Sequence, residues 1–201
     1  RAFAPGEGPS LVIKTINGHR HLQELEELRA LAAGRTDILI VDRFLPADER
    51  DAWARACDCY VSLHRCEGFG LTMAEAMALG KPVIATGYSA NLDFMDHGNS
   101  RLVGYDEWVL TTPSGPYPAG TRWAQPHVDE AAAHMRQLYE NPDDARELGA
   151  RAREHIRDTR TQDALARFVQ GRLEEIRMTE RPATDGAWDE PLPGPLQDAI
   201  N

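Results

Sequence analysis

The residues with the clearest chemical potential lie in one stretch, Leu63-His64-Arg65-Cys66-Glu67-Gly68-Phe69-Gly70-Leu71-Thr72-Met73-Ala74-Glu75. Gly68 and Gly70 lack side chains, so the backbone there can approach a ligand closely. The helical pattern starting at Leu71 or Thr72 offers unpaired N–H groups and a positive dipole end, a setting that receives phosphate. Glu67 precedes the glycines on the loop, where its carboxylate can hold hydroxyl groups; the plainer reading is a solvated acid. Glu75 also has a local role open to it, as the N3 residue of a capping box whose N-cap is Thr72. His64 either lines the same cavity or anchors the loop through a backbone hydrogen bond. Two carboxylates across a phosphate site suit a ligand with hydroxyls at both ends, as in a nucleotide sugar.

Those residues need a scaffold, and hydrophobic patterning supplies one. Short apolar runs at residues 11–16, 38–41, 59–63, 82–85 and 101–103 read as strands. Helical periodicity occupies residues 21–33, 48–56, 72–79, 128–139, 143–157 and 162–178. Leu22, Leu25, Leu28 and Leu31 are expected on one side of the first helix, and Trp53 and Ala56 inward on the second. Residues 109–125, rich in Pro, Gly and Thr, read as a long loop. The alternation predicts an α/β, Rossmann-like parallel sheet with helices on both faces. In such sheets ligands bind at the carboxyl ends of the strands, which puts residues 64–71 and 87–91 at the functional edge.

Composition narrows the class. Residues 1–178 read as one domain, and residues 179–201, with four prolines and two glycines after position 180, as a tail. A formal charge of −10 argues against nucleic acid as a partner. Cys57, Cys59 and Cys66 fit neither a disulfide framework nor a zinc site, so structural thiols in a cytoplasmic setting are expected. No apolar run reaches the ~20 residues of a membrane helix.

The run from Glu67 through Ala74-Glu75-Ala76-Met77-Ala78-Leu79-Gly80-Lys81-Pro82-Val83-Ile84-Ala85-Thr86 closely resembles the signature of group-1 glycosyltransferases, retaining enzymes of the two-domain GT-B fold. Residues 56–65 and 88–95 are similar to the same family, and their flanks look like bacterial polysaccharide or lipopolysaccharide mannosyltransferase-like enzymes. The resemblance implies that Glu67 approaches the donor sugar, with His64 beside it, as the catalytic pair. Glu75 would bind the ribose. Gly68, Phe69, Gly70 and Leu71 would receive the diphosphate, with a hydroxyl from Thr72. Arg43 and Phe44 would hold the base, and Asn91 and Leu92 would border the pocket.

It further implies a nucleotide diphosphate sugar donor, GDP-mannose favoured, and no metal or other cofactor. A hexose would pass with retention to a glycan or lipid-linked acceptor hydroxyl, through an amino-terminal domain not present in this chain. The donor domain is expected to lack its first strand, with residues 1–3 ending the preceding helix, so that the isolated chain is inactive. Peripheral membrane association and oligomers are compatible with this reading. A non-catalytic nucleotide-binding or scaffolding module, and an epimerase-type GT-B enzyme, are the competing classes.

Overall fold

The computed structural model describes residues 2–178, so the tail expected at 179–201 lies outside the described residues. The chain divides into two compact units, Arg1–Thr159 and Arg160–Asn201. In the first unit, strand and helix alternate as β1 (Leu11–Thr15), α1 (Leu22–Leu31), β2 (Ile38–Asp42), α2 (Ala47–Ala56), β3 (Tyr60–Ser62), α3 (Leu71–Ala78), β4 (Val83–Thr86) and β5 (Arg101–Val103). An antiparallel pair follows, β6 (Tyr105–Val109) and β7 (Arg122–Pro126), then α4 (Val128–Glu140) and α5 (Pro142–Thr159). The second unit contributes α6 (Gln162–Met178).

The parallel strands fall into two hydrogen-bonded groups, and no described strand pairing joins them. β1 pairs with β2, from Leu11 opposite Ile38 to Thr15 opposite Asp42. β4 lies between β3 and β5, parallel to both. The helix-flanked parallel architecture is as expected.

β4 shows why the second group is solid. Its four residues, Val83, Ile84, Ala85 and Thr86, are fully buried. Successive strand side chains face opposite ways. Val83 and Ala85 join Met73 and Met77 of α3, Phe94, and Ala152 and Ile156 of α5. Ile84 joins Val103, Ala131 and Leu138 of α4, and Leu148 of α5. A β-branched strand with both faces covered is the stable form of a parallel sheet. Behind α3, α5 comes so close that a side chain at Gly149 would collide with the Gly80 carbonyl oxygen.

The first group is thinner. Of the expected α1 stripe only Leu25 is buried, while Leu22 and Leu31 are exposed. α2 buries nothing, and Ala56 faces solvent rather than the interior. Ala2 and Phe3, expected to end a helix, are not helical; Phe3 packs edge-on against Tyr139 of α4, with Arg136 over its ring. In the second unit, the stripe Leu165, Phe168, Val169, Leu173 and Ile176 of α6 is exposed. No described helix is long and apolar enough to cross a membrane.

Candidate functional site

The carboxyl ends of β3 and β4 each lead into a loop, and the two loops are laced together. Ser89 does most of this: its hydroxyl donates to the Glu67 carbonyl at 2.9 Å and accepts from the Glu67 N–H at 3.3 Å. The Ala90 N–H reaches the same carbonyl at 3.4 Å. Ser89 adopts φ 82°, a left-handed conformation that costs a non-glycine residue energy and persists only when neighbours enforce it. Sequence reading placed Ser89 on the functional edge but not in this role, because a bond spanning 22 residues leaves no local pattern.

His64 strengthens the lacing. Its Nε2 lies 2.9 Å from the Tyr88 carbonyl and 3.2 Å from Asn91 Oδ1, two acceptors, so Nε2 carries the proton. Nδ1 then accepts from the Ser62 hydroxyl at 3.2 Å. Both ring nitrogens are engaged, which is the anchoring arrangement. Asn91, fully buried, donates onward to the Thr86 carbonyl at 3.1 Å.

α3 starts two residues earlier than the capping-box reading requires. Gly70 is the N-cap, at φ 94°, and no side chain caps the helix. Thr72 instead accepts from the Tyr60 hydroxyl at 2.9 Å, so the Thr72–Glu75 capping box does not form. Gly70 is required twice over: a Cβ there would also stand 2.6 Å from Met73 Cε and 3.3 Å from Phe94 Cζ. A Cβ on Gly68 would meet nothing within 4 Å. That space is open to a ligand rather than filled by packing.

One carboxylate lies on the loop before this helix and the other in its first turns. Glu67, half-buried, turns back onto its own loop, its Oε1 accepting from the N–H groups of Gly68 at 3.0 Å and Phe69 at 3.4 Å. Glu75 is exposed one turn into α3, with no side-chain hydrogen bond or ion pair among the described residues. Phe69 lies over Phe94, ring centroids 5.2 Å apart. Leu71 and Leu92 are exposed at the rim.

The structure does not bring Arg43 and Phe44 to this cluster. They follow β2, in the other strand group. Arg43 forks onto Glu49, one bond at 3.0 Å, and Phe44 is 80% exposed. No described hydrogen bond, ion pair or ring contact links either to the loops around α3.

Of the segment expected as loop at 109–125, residues 110–121 are the connection of the β6–β7 hairpin and only the ends are strand; the hairpin leaves the same sheet edge directly after β5 and Gly104. It is tied to both site loops. The Ala124 N–H donates to the Arg65 carbonyl at 2.9 Å, the Arg65 guanidinium lies 6.0 Å from the Trp123 ring centroid, and Tyr105 meets Tyr88 edge-on at 4.9 Å. All three cysteines are free; burial pushes the Cys59 thiol up to about 12, and Cys66 is exposed beside Glu67. Among the described residues, no cluster of three or more His, Cys, Asp or Glu side chains is placed to hold a metal ion.

Similarity to known proteins agrees with this geometry. Residues 11–155 match the family described as glycosyl transferases group 1. The lipopolysaccharide core biosynthesis mannosyltransferase LpcC of Rhizobium leguminosarum bv. viciae is 31% identical over 134 residues, covering 65% of this chain and 38% of that protein. LpsB of Rhizobium meliloti (strain 1021), of the same description, is 43% identical over 79 residues, covering 39% of this chain and 21% of its own. The matched region is thus well under half of each relative. Among solved structures, a glycosyltransferase from Rickettsia africae ESF-5 superposes with TM-score 0.62 at 16% identity, over 86% of this chain and 41% of that one. Anabaena Alr3699/HepE, solved with UDP and glucose, gives 0.59 at 16% identity, over 87% and 42%. These likenesses show a common GT-B-like fold. With a laced loop pair at the strand ends, a glycine-capped helix start and the family match over most of its length, this chain belongs to the group 1 glycosyl transferases.

Proposed function

We propose that this chain is the donor-binding domain of a retaining hexosyltransferase, with the pocket at the start of α3. The observation that carries it is the start of α3, where Gly70 is the N-cap, no side chain caps the helix and Glu67 bonds back onto the adjoining loop N–H groups. The first N–H groups of a helix have no intrahelical acceptor, so those at Leu71 and Thr72 are suited to a diphosphate. Glu67 covers the Gly68 and Phe69 N–H groups here. An arriving diphosphate would compete for them and turn the carboxylate toward the donor's sugar hydroxyls. Glu75, lacking a protein partner, would take the ribose hydroxyls. His64 would act as a positioning residue rather than on the sugar itself. Asn91 and Leu92 would shape the wall, and Arg43 and Phe44 would meet the base once the donor is bound.

The sugar is mannose in this reading, supported by the two rhizobial relatives described as mannosyltransferases, and GDP-mannose is the favoured donor. The acceptor would be a glycan or lipid-linked hydroxyl presented by a second domain. Transfer needs that hydroxyl aligned against the anomeric carbon, and alignment contributes roughly 7–11 kcal/mol to rate enhancement. The chain alone is therefore expected to bind donor without turning it over. Arg65 and Arg43 are both engaged within the protein, so helix N–H groups would carry the leaving-group charge.

Calorimetric titration of GDP-mannose and UDP-glucose, on wild type and Glu75→Gln, tests this. Losing charge-assisted hydrogen bonds to ribose costs about 1.5–3 kcal/mol, one to two orders of magnitude in affinity. Unchanged affinity in Glu75→Gln would remove Glu75 from the pocket. Tighter binding of UDP-glucose would overturn the preference for GDP-mannose.

A further inference from the structure

The β6–β7 hairpin carries aromatic rings that remain partly exposed. Trp108 stands directly opposite Trp123 in the strand register, so the two residues share one face of the hairpin. Trp108 is 54% exposed and Tyr117, which meets Trp123 edge-on at 5.2 Å, is 41% exposed. Strand alternation puts Asp106 and Gln125, themselves opposite one another, on that same face. Arg65 reaches it from the loop that carries Glu67. Trp123 also keeps an unmet demand: its indole N–H is buried and has no hydrogen-bond acceptor. Buried indoles usually find one, and an orphaned donor calls for an explanation.

The geometry points to a second carbohydrate subsite on this face, one that stacks a pyranose ring of the acceptor glycan on Trp108 beside the donor pocket. Flat indole surface flanked by a carboxylate, an amide and a guanidinium is the chemistry that recognises a sugar: apolar C–H faces on the ring, hydroxyls at its edge. A protein partner would also use tryptophan and arginine. The glycan is favoured by continuity with the donor loops. The hairpin leaves the sheet at the strand ends where those loops stand, and it is bonded to one of them through the Arg65 carbonyl. The proposal rests on reading those loops as the donor site. It adds that this domain, and not only a second one, grips the acceptor.

The test uses the 201-residue chain with α-linked mannopentaose, free mannose, GDP and UDP as probes, followed by saturation-transfer NMR and tryptophan fluorescence. Mannopentaose is expected to receive saturation at its ring protons and to bind more tightly than free mannose. Trp108→Ala should weaken pentasaccharide binding roughly tenfold, the scale of one lost aromatic stack. Trp108→Phe should restore most of it, and neither variant should alter nucleotide affinity. No saturation transfer to the pentasaccharide, or equal binding by Trp108→Ala, would overturn the subsite. Loss of nucleotide and glycan binding together would reduce Trp108 to a structural role and overturn it too. A concentration-dependent dimer in sedimentation that Trp108→Ala abolishes would make the face a protein interface instead. Failure of the donor reading shows separately, as absence of nucleotide binding in the wild type while mannopentaose still binds.

Discussion

Val83, Ile84 and Ala85 of β4 are wholly buried, whereas in the other strand group Leu39 of β2 is 52% exposed and Leu11 and Val12 of β1 face solvent. Both groups are parallel strands with helices between them. They differ in cover: β4 has helices against both faces, while β1 and β2 have α1 contributing one buried leucine and α2 none. The first group leans on polar ties instead. Arg35 pairs with Asp37 and reaches the Phe3 carbonyl, and Asp42 accepts the Gly18 N–H at 3.1 Å. The loops proposed to hold diphosphate and sugar thus stand on the firm group, and those proposed for the base on the soft one. Donor binding should therefore order β1 and β2 more than it changes β4.

The largest expected contrast comes from trimming one side chain in each group. Ile84→Ala should cost about 2–5 kcal/mol by opening a cavity between β4 and α4. Leu39→Ala, already half in water, should cost about 1 kcal/mol or less. Denaturant unfolding measures both, and equal costs would erase the distinction. Next in size is the pair of glycines. Gly70→Ala forces a Cβ at φ 94° against Met73 and should cost at least about 1–3 kcal/mol and weaken nucleotide binding. Gly68→Ala should leave stability nearly unchanged while affecting the ligand alone. A stable Gly70→Ala protein with normal nucleotide affinity would show that the helix start is not preorganised.

Two smaller effects sharpen the picture. The Arg35 guanidinium holds the Asp37 carboxyl down at about 2. Folding lowers this pKa, so the pair's stabilisation is complete above the ordinary carboxylate range and is lost as pH falls through about 2. Amide exchange should show β1 losing protection before β4 during acid titration. The smallest is a labelling rate. An alkylating reagent at mildly alkaline pH should reach exposed Cys66 first and Cys59, held protonated by burial, last. Saturating GDP-mannose should slow Cys66 only; equal slowing of all three thiols would mean a global effect.

Much of the firm group was legible in sequence, because Val83 to Thr86 is a short buried run bounded by Pro82 and Gly87, and Met73 and Met77 recur at helical spacing. The hairpin was not. Tyr105, Asp106, Glu107, Trp108 and Val109 are all exposed, so no alternation marks the strand, and a Pro/Gly-rich connection separates it from its partner. The capping box misled because Thr-x-x-Glu is a local pattern, and Gly70's left-handed turn set the helix start instead. Among the proposed site residues, Glu67, Gly68 and Gly70 were found through their types and order. The part Ser89 plays was invisible, since it exists only when two loops far apart in sequence meet.

The contact between Gly149 and Gly80 reaches beyond packing. An alanine at 149 would favour an isolated helix by about 1 kcal/mol, so on propensity alone the exchange looks like an improvement. Here it would press on the carbonyl just past the end of α3 and push that short helix along its axis. The other end of α3 is the proposed phosphate cradle, so a change on the far side of the domain would be felt there as misalignment. As related sequences drift apart, position 149 should accept substitution only together with a compensating shift at the α3–β4 turn, and the two positions should change as a pair.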